Sequence, residues 1–418
     1  MINRTLTPEL NEIDQIDFIK PSIFDISSSV KLYSMCEVSN QTSRLDLYFN
    51  AGTILGDIGT ASFVNSLLLS GTNTKTSIEI NNEMDSLGAF FESSVSNENA
   101  LVSIYALKEN MLAVLSILKD AIENVAFLVH EVIELVNDRK QKFRIGMEKV
   151  SYLAQRSFQQ KLFNHPIYGR IAEESDFENV SISTLKRFHK DNYLHGLTKV
   201  VLIGAFSTDE IDEVIDMTGN WAMDALPTFD EKCQNEPSKT HVNKEQAVQT
   251  AIRVGRMLFN KKDPDFIDFQ ILNTILGDYF GSRLMTNIRE DKGYTYGIGT
   301  MVAELTEMGY FLVATEVGSD KKDATLHEIQ FEFNRLQTEL VSEDELQLVK
   351  NYMLGQLLKS ADGPYAMMDL FLHVEPFNIG LEYYNQCIES INKITPERIK
   401  ELAIKYLNWD KMTIVTAG

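Results

Sequence analysis

Zinc hydrolysis needs neutral imidazoles or carboxylates that converge on an ion and leave one position open for water. Its shortest sequence signature is two histidines at i and i+4, on one helix face, with a glutamate nearby as base. The seven histidines of this chain are His130, His165, His189, His195, His241, His327 and His373, and none of them forms H-E-x-x-H or H-x-x-E-H. His130 and His327 each precede a glutamate, but no second ligand follows at helical spacing, so both read as solvated helix faces. Cys36, Cys233 and Cys387 are odd in number and far apart, which predicts buried reduced thiols rather than a disulfide frame or a thiolate metal site.

Composition narrows the partners. Lys plus Arg total 39 against 60 Asp plus Glu in 418 residues, a formal net charge of −21. A surface of that sign repels phosphate backbones and anionic lipid, which argues against nucleic acid and membrane as partners. The chain is 44% hydrophobic and 24% charged, ordinary globular usage, and its length predicts two to four domains at about 100–200 residues each. No run reaches the roughly 18 uninterrupted apolar residues of a bilayer crossing, and the opening MINRTLTPELNEIDQ lacks an apolar stretch ahead of small residues. A cytoplasmic protein is expected.

The elements that must position any site follow from periodicity and breakers. Residues 31–38 and 44–51 are β-rich runs split by SNQTS, which suggests a hairpin. A helical pattern runs from Gly59 to Leu69, and a second is capped by Ser77 and stopped by Gly88. Strand signals return at 89–107 with a polar kink at Ser96–Asn99, followed by helices near 109–126, 129–163 and 182–193 and the apolar strand 199–206. The polar, proline-containing stretch 224–246 is the best linker, giving domains 1–223 and 247–418. Beyond it the order recurs: strand 247–259, helix 264–290, strands 294–305 and 309–318, helices 322–340, 342–372 and 395–407, and strand 411–417. The endings 183–206 and 396–418 share a helix, an aromatic at Tyr193 or Tyr406, a turn, a lysine and a β-run. Duplication explains this order, so the expected fold class is α+β, with two homologous domains that each pack a largely antiparallel sheet against helices.

Two segments carry a family resemblance: GTASFVNSLLLSGT, Gly59 to Thr72, and SRLMTNIREDKGYTYGIG, Ser282 to Gly299. They resemble signature segments of the pitrilysin/insulinase family of zinc peptidases, the group with an inverted H-x-x-E-H motif that includes mitochondrial processing peptidases. The resemblance spans nearly the whole chain and implies the metalloenzyme LuxS/insulinase-like fold. In active members the first segment has a pattern like G-x-A-H-F-x-E-H-x-x-F-x-G-T, and the frame agrees here at Gly59, Ala61, Phe63, Leu67, Gly71 and Thr72. The chemistry does not, because the two histidine positions are Ser62 and Ser66 and the base glutamate is Asn65. Hydroxyls do not replace imidazoles on zinc, and a carboxamide has no accessible basic form with which to deprotonate water. The family's third ligand, a later glutamate, falls near Lys142, and no acidic residue lies between Arg139 and Met147. His165 in HPIYG matches a structural stretch of the family. Gly88, Ser96 and Glu98 match the region of an edge strand that in relatives pairs with extended peptide.

The second segment keeps its pattern. In the family an arginine and a tyrosine seven residues later reach into the zinc site and touch the substrate and the developing oxyanion; here they are Arg289 and Tyr296. A guanidinium fork and a phenol suit a carbonyl that gains negative charge, where such donors lower barriers by about 3–4 kcal/mol each. The competing reading is Arg289 complementing a helix C-terminus and Tyr296 packing on a sheet, with Tyr294 the better packing aromatic. The resemblance therefore implies a catalytically inactive subunit of a heteromeric zinc endopeptidase. It would hold no metal itself, close a peptide chamber, and lend Arg289 and Tyr296 to a partner of the same family that carries H-x-x-E-H and the zinc. Two alternatives are a non-enzymatic scaffold or binding protein of the same fold, and a peptidase whose metal site has an unrecognised form.

Overall fold

The computed structural model describes residues 13–36, 41–228, 233 and 236–418. The first twelve residues, positions 37–38 of the first expected strand and residues 229–232 and 234–235 of the expected linker lie outside them. The first half runs β1 (Ser22–Asp25), β2 (Lys31–Met35), β3 (Thr42–Phe49), α1 (Thr60–Ser66), α2 (Ser77–Ser86), β4 (Phe90–Val95) and β5 (Ala100–Leu107). It continues with α3 (Met111–Glu123), α4 (Val129–Met147), α5 (Val150–Phe163), α6 (Glu174–Glu178), α7 (Ile182–Asn192), β6 (Leu197–Ile203) and α8 (Thr208–Thr218). The second half begins with β7 (Lys239–Val242), β8 (Gln249–Leu258) and α9 (Phe266–Leu276), then a π-helical stretch, Met285–Asp291. After it come β9 (Ile298–Glu304), β10 (Gly309–Gly318), α10 (Lys322–Thr338), α11 (Glu343–Ser360), α12 (Gly363–Val374), α13 (Glu382–Lys393), α14 (Pro396–Tyr406) and β11 (Thr413–Ala417).

The strands form a six-stranded sheet ordered β1-β2-β6-β3-β5-β4 and a five-stranded sheet ordered β7-β11-β8-β10-β9. Without β1 the two orders match strand for strand. Each has a single parallel pair in the same place, β2 with β6 and β7 with β11, and is otherwise antiparallel. This is the α+β fold of two similar sheets against helices that the repeated element order predicts.

Several local expectations need correction. The hairpin between 31–38 and 44–51 does not form, because β6 inserts between β2 and β3 and hydrogen-bonds to both. Four of its seven residues are buried in an unbroken run at the C-terminal end, and a strand so apolar belongs at a sheet centre. Thr76, not Ser77, caps α2, through a capping box with Glu79. The 129–163 pattern divides into α4 and α5 beside Gly146, against which the Tyr152 ring packs. The 342–372 pattern divides at the equivalent point, where Gly363 takes φ +87°, a conformation that a side chain disfavours. The expected helix 264–290 stops at Gly277, where a Cβ would lie 2.5 Å from Thr300. The stretch 224–246 is not linker throughout, since β7 lies within it and pairs with β11.

The two halves are not self-contained either. Their main cores are separate: α1, α2, α3, α7 and α8 supply residues to one against the first sheet, and α9, α10, α11, α13 and α14 to the other against the second. The opposite face of each sheet is covered by a helix from the other half. From the first half, Leu153, Ala154, Phe158 and Leu162 of α5 pack with Ala251, Leu312 and Val415 of the second sheet. In return Met368 of α12 is buried with Tyr33, Met35, Val201 and Ile203 of the first. Polar ties cross the same seam. Arg44 on β3 donates to Asp46 at 2.9 Å and to Asp369 on α12 at 2.6 Å, and Glu98 accepts from the Thr306 amide at 3.2 Å.

Phe158 is fully buried on α5, with its ring over Gly255 of β8. Phe158→Ala is expected to cost about 3–5 kcal/mol of stability by denaturant titration, with hydrogen exchange accelerating in β8 and β11, both distant from it in sequence.

Candidate functional site

The short helix α1 begins after Gly59, which takes φ +86°, and Phe63 and Val64 anchor it in the core. Asn65 follows them inward. It is buried, and its Nδ2 donates to the Tyr193 hydroxyl at 3.2 Å, so the position where active relatives carry the base is bonded into the interior. Ser62 is half-buried and Ser66 is exposed. Across from them on α4, Arg139 Nη2 donates to Ser66 Oγ at 2.8 Å, while its Nε is buried without a partner. The residue that faces α1 is therefore Arg139 rather than Lys142. Lys142 is exposed and pairs along its own helix with Asp138 at 2.8 Å. Arg139 and Lys142 lie three apart on one helix, and which of them meets α1 depends on how the two helices cross, which no spacing rule supplies.

Two hydroxyls, a carboxamide and a guanidinium do not fit zinc. The ion needs deprotonated or neutral lone-pair donors, and a fixed cation 2.8 Å from Ser66 repels it. Among the described residues no three His, Cys, Asp or Glu side chains lie close enough together to hold a metal. His165 serves its own turn, its Nδ1 accepting from the amides of Ile167 and Tyr168. His241 Nδ1 bonds Thr416 Oγ1 at 2.9 Å, and exposed His130 lies 3.7 Å from Glu131. Cys36, Cys233 and Cys387 are only partly buried, so the expectation of buried thiols is corrected.

Arg289 and Tyr296 are placed differently. Arg289 belongs to the π-helical stretch, a rare geometry, and Gly293 ends it at φ +64°. Its guanidinium lies 4.5 Å from the Phe280 ring centroid and makes no hydrogen bond or ion pair with any described residue. Tyr296 is 95% exposed rather than packed on a sheet, while Tyr294 packs against the second core. Thr295 fixes the loop beneath Tyr296: its hydroxyl lies 2.8 Å from the Glu316 carbonyl and accepts from the Gly297 amide at 3.1 Å. The pair thus comprises a half-buried guanidinium without a polar partner and an exposed phenol, both on an ordered frame. No motif in the sequence points to Phe280, since an aromatic nine positions before an arginine has no recognisable spacing.

A two-sheet chain with this strand order is peptidase-like in architecture. Its fold matches the crystal structure of a peptidase M16 inactive domain from Pseudomonas fluorescens with a TM-score of 0.85 at 23% identity, covering 96% of this chain and 98% of that one. The family model described as insulinase (peptidase family M16) matches residues 34–165, and that for the peptidase M16 inactive domain matches residues 179–353. The chain belongs to this insulinase family and carries its inactive-type domain. An uncharacterized zinc protease of Rickettsia bellii is 21% identical over 313 residues, 72% of this chain and 74% of that protein. The mitochondrial-processing peptidase subunit beta of Neurospora crassa is 21% identical over 377 residues, 84% and 78% of the two chains. No helix among the described residues is long and apolar enough to cross a membrane.

Beneath α1, His189 is only 5% exposed; its ring stacks on Tyr193, meets Phe127 edge-on, and leaves Nε2 without a partner. Burial holds its pKa down at about 4, with a backbone bond at Ile122 opposing the shift. The folded state binds this proton more weakly than the unfolded chain does. Stability is therefore full above about pH 6.5 and falls as pH drops towards 4, by about 3 kcal/mol in all. Denaturant titrations from pH 7 to 4 should show that loss, and His189→Leu should flatten the profile over the same range.

Proposed function

We propose that this chain is the catalytically inactive subunit of a heteromeric zinc endopeptidase. A related subunit carrying H-x-x-E-H supplies the metal and the activated water, and this chain closes the peptide chamber and extends Arg289 and Tyr296 towards the partner's reacting carbonyl. The observation that carries the reading is a contrast between two sites. At α1 a guanidinium bonded to Ser66 takes the place of metal chemistry, whereas half-buried Arg289 and exposed Tyr296 make no side-chain hydrogen bond with any described residue. A guanidinium and a phenol gain most where charge develops on an oxygen in a site closed to water, which a second subunit would provide. The likeness to a protein named as a processing-peptidase subunit supports a heteromer. The substrate class is unfolded or short peptide. The proposed compartment is the cytoplasm, in keeping with an odd number of cysteines spaced far apart in the sequence.

Metal analysis and peptidase assay test this directly. The chain alone should carry no stoichiometric zinc and cleave no peptide, and both should be found in the mixture with an H-x-x-E-H homologue from the same genome. In that mixture Arg289→Ala and Tyr296→Phe should each lower kcat by about 10²-fold. Unchanged turnover in both variants would favour a scaffold, and zinc-dependent cleavage by the isolated chain would sink the proposal.

A further inference from the structure

We infer that Phe280 is a positioning residue for Arg289: it holds the guanidinium by its face and leaves the N–H edge open to an oxygen ligand. The inference rests on the function proposed above and adds a residue to it. The Arg289 guanidinium carbon is 4.5 Å from the ring centroid, the shortest of the cation–ring contacts among the described residues. Phe280 itself is 63% exposed and belongs to none of the hydrophobic cores. The turn that presents it is built for the purpose. The Ser282 amide donates to the Tyr279 carbonyl at 3.1 Å, and the Tyr279 ring turns inward onto Tyr352 at 5.2 Å. Gly281 admits that ring, since a Cβ there would lie 2.8 Å from it. With Tyr279 turned in, Phe280 points out.

The bland reading is a stray surface phenylalanine, which is common enough. It does not explain how Arg289 differs from the other arginines of this half. Arg283 spends Nε and Nη2 on Glu345, and Arg335, although it also lies over a ring, bonds Glu332 and Glu339. Arg289 has Glu290 and Asp291 beside it in sequence and pairs with neither. A carboxylate partner would occupy the N–H donors. A ring attracts the cation through its quadrupole and uses none of them. Stacking therefore orders a long, rotamer-rich side chain while keeping its five donors available, as a group that must meet a transient oxyanion requires.

The test has two arms, so that failure of this inference and failure of the proposed function can be told apart. In the isolated full chain labelled with 15N-arginine, the Arg289 Nε–Hε signal, identified by its loss in R289K, should be displaced by the ring current of Phe280. F280L keeps apolar bulk but removes the ring, and the signal should move to the position of a solvated arginine; F280Y should retain the displacement. An unmoved signal in F280L overturns the inference. In the pair reconstituted with the H-x-x-E-H homologue, F280L should lower kcat about two- to fivefold with KM held, and F280Y should rescue it; that factor matches a stacking energy of about 0.5–1 kcal/mol. If R289A abolishes turnover and F280L leaves it intact, the positioning role falls alone. If R289A is silent, the proposed function falls and the spectrum still decides the stack.

Discussion

The exchange of one helix between the halves is the constraint on which the rest of this molecule depends. A sheet has two faces, and each half supplies helices for only one of them. The other face of the first sheet carries Met35, Val201 and Ile203, and that of the second carries Ala251, Leu312 and Val415, all buried only because α12 and α5 cross over. Left uncovered, side chains of this size would each expose apolar surface worth about 1.5–3 kcal/mol for the larger ones. The halves must therefore fold onto one another, and once they do, the seam positions everything along it. Arg44 reaches Asp369, and Tyr33 and Lys199 meet Glu375, because α12 already lies on the first sheet.

That rigid frame carries two sites that have diverged chemically. In the first half, α1 and α4 meet as a pair of elements suited to ligating a metal, but the side chains at their meeting point are Ser66 and Arg139. The local charge is supplied by a fixed guanidinium, and Asn65 has become part of the packing beneath through Tyr193. In the equivalent place of the second half, Tyr406 is also drawn inward and donates to Asp265 at 2.5 Å. The aromatic common to the two chain endings thus has a structural role in each, anchoring the helix before the last strand. Function, on the reading proposed, resides in the segment from Phe280 to Tyr296, which is anchored in the second core by Leu284 and Ile288 and presents Phe280 and Tyr296 outside it.

Charge distribution agrees with that division. The chain is strongly acidic overall, and most of its basic side chains near α4 are neutralised locally: Lys140 by Glu178, Lys142 by Asp138 and Arg144 by Glu174. Exposed pairs of this kind add about 0–1 kcal/mol each to stability, so their effect is chiefly on the field. Arg139 and Arg289 are not neutralised in this way by any described residue. One is spent on a serine beside α1, and the other is stacked on a ring with its donors free.

The sequence alone determined the repeated order of elements, the α+β class, the family frame from Gly59 to Thr72 and from Ser282 to Gly299, and the loss of imidazole and carboxylate at Ser62, Asn65 and Ser66. These are properties of residue type and short-range spacing, which survive without knowledge of what packs on what. Tertiary structure decided the insertion of β6 between β2 and β3, the exchange of α5 and α12, the choice of Arg139 over Lys142, and the seat of Arg289 on Phe280. Each of these joins residues distant in sequence or turned by an irregular backbone. Periodicity reports which face of an element is apolar, and only the assembled layers say which surface that face will meet.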